Sequence, residues 1–205
     1  MKRIAILVSG RGSNAEALIR ACQAGEIDGE VVLVTGDVPT APALAKARDL
    51  GISTHATDPH DFASKVDYES HLLRMISESG ADLICLAGYM RLVGPLLLGA
   101  YRRRILNIHP SLLPAFPGLD AQAQALRAGV KVAGCTVHFI DAGIDSGPIV
   151  AQTAVPVADD DTADSLAARI LEAEHPTYVR AVAAYCRGDL RWQDGRVVGA
   201  GQEEL

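Results

Sequence analysis

The segment NIHPSLLPAFPG, residues 107–118, sets an amide and an imidazole two residues apart, ahead of Pro110, Pro114 and Pro117. On a strand, residues two apart project to one face. Asn107 can donate a hydrogen bond to an oxygen that is gaining negative charge. His109 can trade a proton near neutral pH, and the prolines stiffen the loop beyond it. A lone strand histidine is more often structural; the Asn-x-His pair at a strand end shifts that balance. A second segment, HFIDAGIDSGPI (138–149), puts Asp141 and Asp145 on a glycine-bearing turn. Turn aspartates commonly satisfy their own backbone. If Asp145 instead meets His109, it favours the imidazolium and can act through water as a base. His138, among apolar strand neighbours, reads as structural.

A third segment, ILVSGRGSNAEALI (6–19), half-matches two nucleotide-binding fingerprints. Ala15 stands where the third glycine of G-x-G-x-x-G belongs, and no lysine follows as in a Walker loop. Gly10 and Gly12 let backbone N–H groups face outward, Ser13 adds a hydroxyl, and a helix N-terminus follows, which together suit an anion. Without the lysine, a phosphate monoester fits better than a triphosphate. The alternative is a glycine-rich turn with no ligand.

Other chemistries lack their residues. There is no G-x-S-x-G, no H-E-x-x-H, no aspartate cluster for a metal and no C-x-x-C. Cys22, Cys85, Cys135 and Cys186 lie far apart, so neither a zinc site nor a disulfide framework is expected. Hydrogen-bond donors, an acid/base histidine and a carboxylate remain. That set suits acyl-like transfer through a tetrahedral intermediate without a covalent adduct.

The elements that must position these residues alternate. Strands read at 3–10, 30–36, 52–56, 81–89 and 104–110, with helices at about 15–25, 41–51, 64–79 and 94–101 between them. Asn14 is the expected cap of the first helix. Continuous apolar runs such as RIAILV mark strands buried on both faces. After a helix at 121–129, strands 131–140 and 147–157 follow with no helix between, which predicts an antiparallel hairpin. A long helix at 162–188 contains Pro176, and a terminal hairpin turns at Asp194-Gly195. The expected fold is α/β: a Rossmann-like, mostly parallel twisted sheet with helices on both faces and antiparallel C-terminal strands. Ligands in such sheets bind beyond the carboxyl ends of the strands, where Ser9–Asn14, Gly88–Val93 and Asn107–Gly118 fall.

The 205 residues suit one domain, with residues 199–205 read as a disordered tail. Hydrophobic residues make up 49% and aromatics 4%, so the core is aliphatic. A net charge of −6 argues against general nucleic-acid binding. No apolar run approaches the roughly 18 residues needed to cross a bilayer. A soluble, cytoplasmic protein with no membrane partner is expected.

The segments SGRGSN, LAGYMRLV, NIHPSLLPAFPG and HFIDAGIDSGPI occur in the order and spacing found in the glycinamide ribonucleotide formyltransferase family, which the chain resembles through EAEHPTY (172–178). Methionyl-tRNA formyltransferases and formyltetrahydrofolate hydrolases are similar around IHPSLLP. The short chain, PAFPG and SGRGSN favour the ribonucleotide enzymes. The resemblance implies formyl transfer from 10-formyltetrahydrofolate, as co-substrate and without a metal, to the amine of glycinamide ribonucleotide in purine synthesis, by a monomer or homodimer.

By the same resemblance, Asn107, His109 and Asp145 are catalytic. Gly12, Ser13 and Asn14 hold the substrate phosphate, and Glu174 holds the ribose. Tyr89, Met90, Arg91, Leu92, Val93 and Asp141 bind folate. Residues 1–106 become the nucleotide half, and 107–198 the catalytic and folate half. Read without it, Glu174 is a solvated helix carboxylate, and Met90 and Leu92 are core. Asp120, Gln122 and Leu171 depart from the family pattern, which puts in doubt any help from side chains there.

Overall fold

A computed structural model describes residues 1–199; the expected disorder of 200–205 concerns residues outside that range. The described elements run β1 (Lys2–Val8), α1 (Ser13–Gln23), β2 (Gly29–Gly36), α2 (Pro42–Asp49), β3 (Thr54–Ala56), α3 (Lys65–Glu78), β4 (Leu83–Leu86), α4 (Pro95–Ala100) and β5 (Ile105–His109). Then come α5 (Ala121–Ala128), β6 (Val132–Phe139), β7 (Ile149–Pro156), α6 (Ala163–Arg187), β8 (Arg191–Gln193) and β9 (Arg196–Val198). Seven strands form one sheet in the order β3-β2-β1-β4-β5-β6-β7, and β8-β9 pair separately. Strands β1 to β5 run parallel, and β6 and β7 are antiparallel. This is the α/β class expected from the sequence.

The chain divides into two compact units, Met1–Asn107 and a second starting at Ile108. In the first, the apolar runs become the innermost strands: Ile4 to Val8 and Leu83 to Cys85 are each no more than 1% exposed. Burying side chains of this size contributes about 1.5–3 kcal/mol each. Helix α1 turns Ala15, Leu18 and Ile19 inward, the i, i+3, i+4 stripe of a helix lying on a sheet. The strand order reverses between β1 and β4, which places a crevice beyond their carboxyl ends.

In the second unit, α6 packs on β6 and β7. Thr162 and Ser165 close its N-terminus as a capping box, and Gly188 ends it in the left-handed region. The helix runs on through Pro176. The β8-β9 hairpin turns on Asp194 (φ 48°) and Gly195 (φ 78°), the primed geometry expected of Asp-Gly.

Two local expectations are corrected. Asn14 does not cap α1: Gly12 occupies the cap position at φ 76° with no side-chain bond, and Asn14 lies inside the first turn. The left-handed glycine turns the chain so sharply that the helix starts before Asn14. Strand β4 is Leu83–Leu86 rather than 81–89, because Gly88 at φ 72° takes the chain out of the sheet.

Candidate active site

In the first unit, the turn after β1 has a glycine that nothing else can replace. Gly12 holds φ 76°, and a Cβ there would overlap Ala43 Cβ and lie 2.7 Å from Ala43 Cα. Both the backbone conformation and the approach of α2 therefore demand glycine. Its carbonyl accepts the Glu16 N–H at 2.9 Å, the first turn of α1. Ser13 and Asn14 open that helix with amides that have no i−4 carbonyl within it, the arrangement an anion takes. Arg11 is exposed beside them.

Ser9, at the end of β1, ties this turn to the segment after β4. Its N–H donates to the Gly88 carbonyl at 3.1 Å, and its Oγ accepts the Met90 N–H at 2.9 Å. The segment then alternates. Tyr89 turns inward, its hydroxyl 2.7 Å from that of Tyr68 on α3. Burial, then the bond to Tyr68, push the Tyr89 phenol well above its ordinary range. The Arg91 guanidinium lies over the Tyr68 ring, 5.5 Å from its centroid, and 4.0 Å from the Asp37 carboxylate. Met90 and Leu92 point outward at 70% and 80% exposure, so neither is core. Val93 is half-buried.

Asn107, the last residue of the first unit, is half-buried on β5. His109 follows it by two on the same strand, so both project to one face.

In the second unit, His109 is 5% exposed. Its Nε2 lies 2.9 Å from the Phe116 carbonyl, and its Nδ1 lies 3.4 Å from Asp145 Oδ2. Both ring nitrogens thus face oxygen acceptors, a pair that an imidazolium serves with two donors and a neutral ring with one. The loop beyond is pinned by β6 and β7. Thr136 Oγ1 donates to the Ser111 carbonyl at 2.6 Å and accepts the Leu113 N–H at 3.0 Å, while Gln152 Nε2 donates to the Leu113 carbonyl at 2.9 Å.

Asp145 is a non-glycine residue at φ 49°, a conformation that costs energy and concentrates at functional sites. Its Oδ2 accepts the Gly118 N–H at 2.8 Å, and its Oδ1 lies 3.6 Å from His138 Nε2. The turn that carries it is tight: a Cβ at Gly143 would overlap Ser146 Oγ, and one at Gly147 the Phe139 carbonyl. Asp141 behaves as an ordinary turn aspartate, its Oδ1 accepting from Gly143 N–H at 3.0 Å and Ser146 Oγ at 2.8 Å. Glu174 is 7% exposed on α6 and so is not a solvated carboxylate.

His138 lies among buried strand neighbours, as expected of a structural histidine, and it also flanks Asp145 on the carboxylate oxygen that does not face His109. It is fully buried, and its Nδ1–H donates to the Phe139 carbonyl at 3.0 Å. Burial holds its pKa below the ordinary histidine value, against the raising effects of the Phe139 bond and Asp145. Ser9 and Tyr68, which hold the 88–91 segment, were not singled out from sequence either. The free thiols of Cys22 and Cys135 are pushed by burial up to about 11, which removes them as nucleophiles. Among the described residues, no three His, Cys, Asp or Glu side chains group so as to hold a metal ion, and no helix is long and apolar enough to cross a membrane.

Comparison with known proteins gives a consistent result. A solved glycinamide ribonucleotide transformylase 1 from Symbiobacterium toebii superposes with a TM-score of 0.95 at 49% identity, covering 96% of this chain and 93% of that one. The phosphoribosylglycinamide formyltransferase of Bacillus subtilis (strain 168) is 44% identical over 87% of this chain and 91% of its own length. The trifunctional purine biosynthetic protein adenosine-3 of Drosophila melanogaster is 47% identical over 91% of this chain, which spans 14% of that larger protein. The formyl transferase family model matches residues 2–182, and the chain belongs to the formyl transferase family.

Proposed function

We propose that the protein transfers the formyl group of 10-formyltetrahydrofolate to the amine of 5-phosphoribosylglycinamide, in de novo purine (IMP) biosynthesis. The products are formylglycinamide ribonucleotide and tetrahydrofolate. The observation that carries this reading is the buried His109–Asp145 pair, 3.4 Å apart, with Asn107 two residues before His109 on β5. Pure binding needs no such acid/base set, and the family supplies the reaction type.

In this reading, the amine nitrogen attacks the formyl carbon and a C–N bond forms. The formyl oxygen takes up negative charge and accepts hydrogen bonds from the Asn107 amide and the His109 imidazolium. It competes with the Phe116 carbonyl for the His109 Nε2 donor. The amine loses one proton, through water, toward Asp145. His109 supplies one to N10 as the bond from N10 to the formyl carbon breaks, so the net movement is one proton from amine to N10. The proton that Asp145 has received then passes to His109 across their 3.4 Å contact, which returns both groups to their starting state, and His138 backs Asp145 from its other side.

The Gly12-Ser13-Asn14 turn takes the substrate phosphate through backbone N–H groups, and Glu174 takes the ribose hydroxyls. Met90 and Leu92 supply the apolar wall for folate. The backbone around Arg91 and Val93 serves the pterin edge, and the turn bearing Asp141 closes over it. Tyr89 acts from behind, through Tyr68. We place the protein in the cytoplasm, as a monomer or homodimer with no nucleic-acid partner; its net charge of −6 supports the last point.

The test is a folate absorbance assay with 10-formyltetrahydrofolate, with and without glycinamide ribonucleotide. Turnover that requires the ribonucleotide is expected. Turnover without it would make the protein a hydrolase, and none under either condition would make it a binding protein.

A further inference from the structure

Glu69, a buried carboxylate on α3, touches the far end of the segment after β4 and has no part in the proposed reaction. It is 7% exposed, and its Oε1 accepts the Leu97 N–H at 3.0 Å. Leu97 is the third residue of α4, whose cap residue, Gly94, makes no side-chain bond. Glu69 therefore does from a distance what a capping side chain does locally.

A steric observation, independent of that bond, points the same way. Gly94 has φ −86° and ψ 176°, an extended backbone that any residue adopts. Glycine is needed there for space alone, because a Cβ would overlap both oxygens of the Glu69 carboxylate. The chain leaves the Tyr89–Val93 segment through a contact that fits only a glycine against a carboxylate.

We infer that Glu69 is a positioning residue for folate: its carboxylate, packed on Gly94 and bonded to Leu97, fixes the C-terminal end of the Tyr89–Val93 loop. Met90 N–H on Ser9 Oγ fixes the other end at 2.9 Å. Between two fixed ends, Met90 and Leu92 are held outward and the backbone of Val93 keeps one direction. A ligand then binds without the cost of ordering the loop. This inference rests on the reading that residues 89–93 line the folate pocket.

Steady-state kinetics on Glu69→Ala, Gly94→Ala, their double variant and Glu69→Gln test it. Glu69→Ala and Gly94→Ala should each raise KM for 10-formyltetrahydrofolate about tenfold, the scale of one lost buried charged hydrogen bond. Both should leave kcat and KM for the ribonucleotide within about twofold of wild type. Gly94→Ala should add almost nothing to Glu69→Ala, since its clash partner is gone. Glu69→Gln keeps an oxygen for Leu97 and should stay near wild type.

Additive effects, a loss that falls on kcat, or a lowered Tm with folate KM unchanged would each overturn the inference. If Glu69→Ala does not fold, Gly94→Ala and Glu69→Gln decide it alone. Leu92→Ala separates the two levels of the argument. If it leaves folate KM unchanged, the folate-loop reading fails. If it raises folate KM while Gly94→Ala does not, only the role of Glu69 fails.

Discussion

Asp145 concentrates the demands that the proposed chemistry makes on a single residue. It sits in the left-handed region at φ 49°, accepts the Gly118 N–H, and lies 3.4 Å and 3.6 Å from two imidazoles. Asp145→Asn keeps the shape and an oxygen for Gly118 but removes the charge. We expect kcat to fall about 100- to 1000-fold, the usual range for one charge-stabilising group, with folate affinity measured by titration unchanged. His109→Ala should behave alike, and near-wild-type kcat in either would refute the assigned roles. The pairing of His109 with Asp145 was legible through the family resemblance, since residue types and spacing alone left Asp145 an ordinary turn aspartate. The contact of His138 with Asp145 was not. Between Val137 and His138 the β6-β7 register shifts, so that Val137 pairs with Ala151 but His138 with Ile149. Such an irregularity re-aims side chains near active sites, and no residue in the sequence announces it.

At the scale of elements, turns matter more than helices. The strands and helices were readable from apolar runs and 3.6-residue stripes, within a few residues at each end. What the sequence hid were contacts across elements: Ala43 of α2 against Gly12, Tyr68 of α3 under Arg91, Glu69 of α3 against Gly94. Asn14 was misread as a cap because local preference favours asparagine there, while the cap geometry is set by α2. Gly12→Ala tests the turn. The left-handed backbone costs a side chain about 1–2 kcal/mol, and the overlap with Ala43 adds to that. We expect lower stability in urea and a raised KM for glycinamide ribonucleotide, with the KM for folate little changed. An equal rise in both would show that the turn serves the fold rather than the phosphate.

For the whole molecule, the alternation of strand and helix through β5 and its loss after α5 were enough to predict a mostly parallel sheet with an antiparallel end. The division at Asn107–Ile108 was not visible as a linker, because it falls inside β5. Global stability carries one further signature of the site. His138 is buried with its pKa below the ordinary value of 6.5, chiefly through burial. Below about pH 6.5 the unfolded chain takes up a proton there that the folded chain refuses. The unfolded state then binds more protons, so stability is full above that pH and is lost as pH falls toward the folded value, by at most about 1.4 kcal/mol per pH unit. The charges of Asp145 and Asp141 raise the value and so moderate the slope, whereas the charge of His109 lowers it in the same sense as burial, which dominates. His138→Gln removes the titration and keeps an amide to donate to the Phe139 carbonyl. Urea midpoints measured from pH 7.5 down to 5.5 should therefore fall less steeply in the variant than in wild type. Parallel curves would mean that His138 titrates alike in the folded and unfolded chain, and a steeper fall in the variant that the folded protein holds a proton there, with Asp145 between two cations rather than one.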